Sequence, residues 1–221
     1  MSADLTHIDT WLFDLDYTLY PPECALMDMV DVRMTDYVAR ITGLPRGEAR
    51  ALQKQYFHEH GTTLAGLMIH HDVDPADFIA EVQAVSMDGV SPDPQLIAGL
   101  ERLPGRRLVF TNAGGRYAEQ VLDRLGIAPL FEGVFHIEAS DYIPKPHPDT
   151  FARMVRAHGV APERTAFFED SERNLKPAAA LGMTTVLVGP HAEASTADFV
   201  DYRTHTLPPF LLTAEIQETR P

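Results

Sequence analysis

Short apolar runs alternate along this chain with longer segments in which apolar side chains recur at three- and four-residue steps. The short runs at 10–13, 107–110, 134–137, 165–168 and 184–188 lie beside turn or breaker residues and predict strands. Between several of them the spacing predicts helices over 116–125, 148–158 and 171–181, stopped by Gly126, Gly159 and Gly182. Repeated strand–helix units of this kind predict an α/β fold with a doubly wound parallel sheet. In such a sheet the ligand site falls at the carboxyl ends of the strands.

One region departs from that rhythm. From Pro21 to about Val90 the pattern is helical throughout and contains no convincing strand. Met27, Val30, Met34, Tyr37 and Ile41 fall on one face of a helix that Gly43 stops. Further helix starts are signalled by Pro45, by Thr62 and Thr63 after Gly61, and by Asp74 before Pro75. The predicted organisation is therefore a core built from residues 1–20 and 91–221, with residues 21–90 inserted as a cap of about four helices. Methionines at this spacing are read as core filler.

Composition narrows the function. A 221-residue chain that is 45% apolar suits one compact catalytic unit. Its formal net charge of −14 argues against nucleic-acid polymers and acidic membrane faces, which recruit Lys and Arg. The single cysteine, Cys24, cannot form an internal disulfide and is read as inert. The opening Met1-Ser2-Ala3-Asp4 lacks the basic start and apolar run of a secretory signal, and no apolar stretch approaches the ~20 residues of a membrane helix. A cytoplasmic protein is expected.

The chemistry gathers where the predicted strands end. Asp14 and Asp16, in Phe13-Asp14-Leu15-Asp16-Tyr17-Thr18, follow the first strand directly. A carboxylate there can ligate a hard cation and can also attack an electrophilic phosphorus. Thr111-Asn112-Ala113-Gly114-Gly115 follows the second strand. The Thr111 hydroxyl and the backbone N–H groups near Asn112 and Ala113 can cradle phosphate at the start of a helix. Lys145 stands among prolines in Ile143-Pro144-Lys145-Pro146-His147-Pro148, which favours a preorganised cation. Glu169 and Asp170 end a fourth strand. Asp14 and Asp170 are the expected carboxylate ligands of a magnesium ion, and Glu169 is an outer partner orienting a water or Lys145. The histidines, including His147 and the adjacent His70 and His71, show no metal-ligand spacing and are read as surface or packing residues.

In their order and approximate spacing, Asp14-x-Asp16-x-Thr18, Thr111-Asn112, Lys145-Pro146 and Glu169-Asp170 resemble the four motifs of the haloacid dehalogenase-like hydrolases. The resemblance implies a Rossmann-like core with a helical cap, Mg2+ as cofactor, the backbone carbonyl of Asp16 as a further metal ligand, and Asn174 in the outer metal shell. Phe167-Phe168-Glu169-Asp170-Ser171, Thr18-Leu19-Tyr20 and Gly61-Thr62-Thr63-Leu64-x-Gly66-Leu67 look most like the pyrimidine 5′-nucleotidase group. Tyr17 stands where many relatives carry glycine, and Asn174 where many carry a further aspartate.

The implied reaction is phosphomonoester hydrolysis through an aspartyl-phosphate. Asp14 is the nucleophile, Asp16 the acid and then the base, Thr111 and Lys145 hold the phosphoryl group, and Thr62 and Thr63 meet the leaving group. The expected partner is a small phosphorylated metabolite, with a pyrimidine nucleoside monophosphate favoured. Sugar phosphates, phosphoglycolate and phosphomutase chemistry on the same core are the alternatives. A metal-independent dehalogenase is disfavoured by Asp16, because a departing halide needs no acid.

Overall fold

A computed structural model of the chain describes residues 3–217. Among these, the five predicted strands are present: β2 (Thr10–Phe13), β3 (Arg106–Phe110), β4 (Gly133–Phe135), β5 (Thr165–Glu169) and β6 (Thr184–Val188). A sixth, β7 (Tyr202–Thr204), extends the sheet. The order is β4-β3-β2-β5-β6-β7 with every pair parallel. A separate two-stranded parallel ribbon joins β1 (Asp4–Leu5) to β8 (Glu215–Ile216).

Each central strand carries consecutive buried apolar residues, Trp11–Phe13, Leu108–Phe110, Ala166–Phe168 and Val186–Val188, because both faces of the sheet are covered. Trp11, Phe13, Val109, Phe168 and Val186 point to one face, where Phe13 and Phe168 stack at 4.7 Å. Leu12, Leu108, Phe110, Phe167 and Leu187 point to the other. Three helices serve the first face: α5 (Pro94–Glu101), α6 (Gly115–Leu125) and α9 (Leu207–Thr213). Helices α7 (Pro148–His158) and α8 (Glu172–Ala180) cover the second.

Two expectations need correction. The third predicted strand ends at Phe135, not at 137, because Ile137 opens a tight 3-10 turn (Ile137–Ser140) and spends its apolar side chain inside that turn. Strand β7 escaped the sequence reading because Tyr202, Arg203 and Thr204 are all only half-buried and carry no period-2 contrast.

The region between β2 and β3 forms a helical cap of α1 (Leu26–Thr42), α2 (Arg46–His60), α3 (Thr63–His71) and α4 (Pro75–Val82). The start signals act as expected for caps. The Thr62 side chain accepts from Ala65 N–H at 3.1 Å, and the Asp74 carboxylate accepts from Ala76 N–H at 2.8 Å, contacts typically worth about 1 kcal/mol each. Tyr37, Val38, Ala49, Tyr56, Leu64, Leu67, Phe78 and Val82 give the cap its own apolar cluster. Of the predicted α1 stripe, Val30 and Tyr37 are buried and Met27 and Met34 partly so, whereas Ile41 is 37% exposed. Val38 takes the buried place near the helix end that the spacing gave to Ile41. No helix among the described residues is long and apolar enough to cross a membrane.

Candidate active site

Backbone pairing continues one residue beyond the central strands and so fixes where their terminal side chains begin. Asp14 N–H donates to Phe168 C=O at 2.9 Å, and Thr111 N–H donates to Phe135 C=O at 3.0 Å. Asp170 follows the last residue of β5. The loop carrying Lys145 crosses above these ends, tied to the β3 loop through Asn112. The Asn112 side chain accepts from Lys145 N–H at 2.8 Å and donates to Lys145 C=O at 3.2 Å.

This tether puts Lys145 at the centre of the rim, where it is 1% exposed. Its ammonium donates to Asp14 Oδ1, Glu169 Oε2 and Phe110 C=O, each at 2.7 Å, so all three of its protons are used. The same nitrogen lies 5.0 Å from the Phe110 ring centre and 5.3 Å from that of Phe167, within cation–π range. Burial alone would lower the lysine pKa, but Asp14 and Glu169 outweigh it and hold the group well above its ordinary value.

Asp14, Glu169 and Asp170 each bring a carboxylate oxygen within 4.8 Å of the others. Asp14 is pushed up to about 8, first by burial and then by the Glu169 charge, with Lys145 opposing. Asp170 is pushed up to about 10 by burial, then by Glu169 and Asp14. Crowded acids with one ammonium among them make a site that gains from another cation, and its all-oxygen donor set suits a hard divalent ion. One turn beyond Asp170, Asn174 is buried, and its Oδ1 is the one buried side-chain polar atom among the described residues without a hydrogen-bond partner. A water on a hydrated cation would satisfy such an acceptor, so the residues present fit a metal ion.

Asp16 is held separately. Its Oδ1 accepts from Tyr117 OH at 3.1 Å and from Tyr20 OH, and the two phenols lie 3.2 Å apart. Burial raises the Asp16 pKa while the two tyrosine bonds oppose that rise. Both phenols are pushed up, chiefly by burial and then by the neighbouring Asp16 charge, so they remain donors. One carboxylate oxygen is thus anchored twice. Tyr17, between the two acids in sequence, adopts φ +64°, the left-handed conformation that a glycine takes without strain.

The sequence-predicted residues divide into those the rim gathers and those occupied elsewhere. Glu169 holds Lys145, the partner expected for it, and its carboxylate also lies in the acidic cluster. Ala113 N–H is already engaged with Thr111 Oγ1 at 2.9 Å and the Asn112 side chain is committed to the Lys145 loop, which leaves the Asn112 backbone N–H of the two expected to cradle phosphate. The Thr62 hydroxyl caps α3, and Thr63 donates to Gln53 C=O at 3.3 Å, so both serve the cap's own structure. His147 caps α7, its Nδ1 accepting from Asp149 N–H at 3.2 Å.

Sequence reasoning gave no role to Tyr20 or to Thr18, whose hydroxyl donates to Asp14 Oδ2 at 3.4 Å, and it missed Tyr117. Thr18 and Tyr20 carried a signal, standing four residues beyond Asp14 and Asp16. Tyr117, 101 residues from Asp16, carried none.

A cavity of about 960 Å3 reaches the rim through Thr18 and Asp170 and runs past Tyr17 and Tyr20 to His191 and His205. No residue of α1–α4 lines it, and its walls hold four carboxylates, Glu23, Asp93, Asp170 and Glu172, with no Lys or Arg.

A family model described as haloacid dehalogenase-like hydrolase matches residues 8–182. The chain is similar to Phosphate metabolism protein 8 of Saccharomyces cerevisiae, 26% identical over 80% of this chain and 60% of the yeast protein. It is also similar to Fructose-1-phosphate phosphatase YqaB of Escherichia coli, 33% identical over 52% of this chain and 63% of that protein. It thus spans a little under two thirds of the length of these relatives. Among solved structures, a HAD phosphatase from Thermococcus onnurineus superposes with a TM-score of 0.64 at 21% identity, covering 94% of this chain and 99% of that one, which shows the shared fold.

Proposed function

Because the chain belongs to the haloacid dehalogenase-like hydrolases, we propose that it is a magnesium-dependent phosphomonoesterase in which Asp14 is the covalent nucleophile. The observation that carries this reading is the Asp14 carboxylate, held between the Lys145 ammonium and the acidic pair Glu169 and Asp170. Asp14, Glu169 and Asp170 would hold the ion, with the backbone carbonyl of Asp16 a further candidate. Bound Mg2+ supplies positive charge that offsets negative charge on the phosphoryl oxygens.

An Asp14 oxygen attacks phosphorus, and the bond from phosphorus to the leaving oxygen breaks as Asp16 gives that oxygen its proton. The Thr111 hydroxyl holds the transferring group, and the Lys145 charge, fixed against Asp14, offsets the negative charge that develops there. Asp16, now a carboxylate, takes a proton from water, whose oxygen attacks the phosphorus of the aspartyl-phosphate. Inorganic phosphate leaves and Asp14 is regenerated. Tyr20 and Tyr117 keep Asp16 turned to both tasks.

The substrate we propose is a small phosphate monoester. A cavity lined by carboxylates and lacking Lys or Arg accepts one metal-held phosphate more readily than a di- or triphosphate. The narrower reading, a pyrimidine nucleoside 5′-monophosphate, rests on the motif wording around Thr18 to Tyr20, Gly61 to Leu67 and Phe167 to Ser171. The name of the Escherichia coli relative, a fructose-1-phosphate phosphatase, favours a sugar phosphate instead.

The test is phosphate release with Mg2+ from nucleoside monophosphates, sugar phosphates and phosphoglycolate, with native protein beside Asp14→Asn. Release by the native protein, lost in Asp14→Asn and after chelation, is expected. Turnover persisting in that variant would overturn the covalent proposal. Equal kcat/KM for uridine and adenosine monophosphates would remove the pyrimidine reading.

A further inference from the structure

The cap brings together histidines that lie ten and more residues apart in sequence. His60 ends α2 and His70 lies in the last turn of α3, and their Nε2 atoms are 3.2 Å apart with ring centres separated by 5.2 Å. Two imidazoles on one tetrahedral zinc ion, with bonds of ~2.05 Å, put their nitrogens ~3.3 Å apart and, after adding ~1.15 Å from nitrogen to ring centre, their ring centres ~5.2 Å apart. A collinear end-to-end hydrogen bond at the same nitrogen separation would place the ring centres nearer ~5.5 Å, because both ring axes would then lie along the contact. The observed pair has the separations of two ligands converging on a shared point, which a hydrogen bond bent at the nitrogens also gives.

The surroundings hold the rings in that orientation. Tyr56 is buried and stacks on His70 at 5.2 Å and 14°, while its hydroxyl meets His71 Nε2 at 2.8 Å. Tyr56 fits because residue 66 is glycine: a Cβ there would sit 2.4 Å from the tyrosine ring. The rings are therefore set by a buried neighbour, as in sites where packing and outer hydrogen bonds orient the ligands. Glu59 adds a carboxylate oxygen 3.8 Å from His60 Nε2, which favours positive charge at the pair.

From this geometry we propose that His60 and His70 form a two-imidazole site for a borderline transition-metal cation of the zinc class. The remaining positions on the ion are filled by water. It is separate from the carboxylate cluster in both location and donor type. Imidazole nitrogen selects zinc, copper or nickel, while the all-oxygen rim suits magnesium, so one chain sorts two kinds of cation by donor chemistry. A cation there ties the C-terminal end of α2 to that of α3. The proposal does not depend on the hydrolytic reading.

The experiment uses the full chain, labelled with nitrogen-15 and kept in excess Mg2+, titrated with Zn2+ while long-range proton–nitrogen spectra follow each imidazole. The Nε2 resonances of His60 and His70 are expected to move together and to saturate at one ion per chain, with His71 retaining its tyrosine-bound state. His70→Ala should weaken that binding at least tenfold. His60→Gln serves as the second variant, so that a folding defect in either cannot decide the matter. Zinc leaving both rings unmoved, moving only one of them, or binding the variants undiminished would overturn the proposal.

Discussion

The rim of the sheet and the cap are built on opposite plans. At the rim, three strands and the Lys145 loop bring four distant segments to one point, and the single ammonium binds the other three through charge-assisted bonds at 2.7 Å. In the cap, four consecutive helices share an apolar cluster, and hydrogen bonds to the rest of the protein are few. Gln83 Oε1 accepts from Gly114 N–H at 3.0 Å, and Arg173 donates to Gly61 C=O at 3.0 Å. The difference teaches where tolerance should lie. A change at the rim leaves buried charge uncompensated, whereas a change at the cap's attachment shifts how the two parts meet.

The largest effect is expected from Lys145→Met, which keeps volume but strands Asp14 and Glu169. Removing one partner of a buried ionic pair costs about 3–5 kcal/mol, and losing a preorganised cation at a phosphoryl group costs on the order of a thousandfold in kcat. Denaturant unfolding of the metal-free protein and steady-state turnover with Mg2+ measure the two. If both changes were small, the rim would be no more tightly coupled than the cap.

Removing the metal sharpens the same contrast. Burial pushes Asp14 up to about 8 and Asp170 up to about 10, so the metal-free folded protein keeps protons that the unfolded chain has released. More protons on the folded state mean that this contribution to stability is fully present below about pH 4 and declines as pH climbs through about 8. A divalent ion replaces those protons. The rise in Tm on adding Mg2+ should therefore grow from about pH 5.5 to pH 8, reaching several degrees, given that about 1 kcal/mol corresponds to 2–4 °C in a chain of this size. A metal effect independent of pH would break the link between crowding and cation binding.

The legibility of the sequence follows the same division. Strand ends could be read because β2, β3 and β5 each run through apolar residues into polar ones, so Asp14, Thr111 and the pair Glu169 and Asp170 announce themselves where those runs stop. The cap's helices could be read from their start signals at Thr62 and Asp74, and Asp74 caps α4 as expected, while the Thr62 hydroxyl expected to meet the leaving group is itself a helix cap. What the sequence could not carry was contact across large separations. Tyr117 reaches Asp16, and His60 meets His70, only because helices turn particular faces toward one another. Local periodicity records that a face is buried, and not what it meets.

A smaller effect should follow Tyr117→Phe. The ring still fills its buried place on α6, while Asp16 loses one donor and keeps Tyr20. A hydrogen bond to a charged group is worth about 1.5 kcal/mol at the low end of its range, or about tenfold in rate. The expected signature is a kcat reduced about tenfold with KM unchanged. It should be deeper for alkyl phosphates, whose leaving group needs the Asp16 proton, than for p-nitrophenyl phosphate, whose leaving group does not. Equal loss on both would mean that the tyrosines do not serve proton transfer.

The smallest effect is expected where cap and core are joined. Arg173 rises from the first turn of α8, three residues beyond Asp170, and its guanidinium lies 4.2 Å from the centre of the Phe57 ring while donating to the carbonyl of Gly61. That carbonyl lies just past the end of α2, where the helix dipole is negative, so the arginine is well placed as a cation. Its contacts are partly open to water, however, and such contacts are worth less than about 1 kcal/mol. Arg173→Ala should leave the unfolding free energy within that margin and alter KM by two- to fivefold with little change in kcat, as expected of a residue that sets how the cap rests on the core. A fall in kcat comparable to that of Lys145→Met would place Arg173 within the chemistry of the rim and erase the distinction between the two regions.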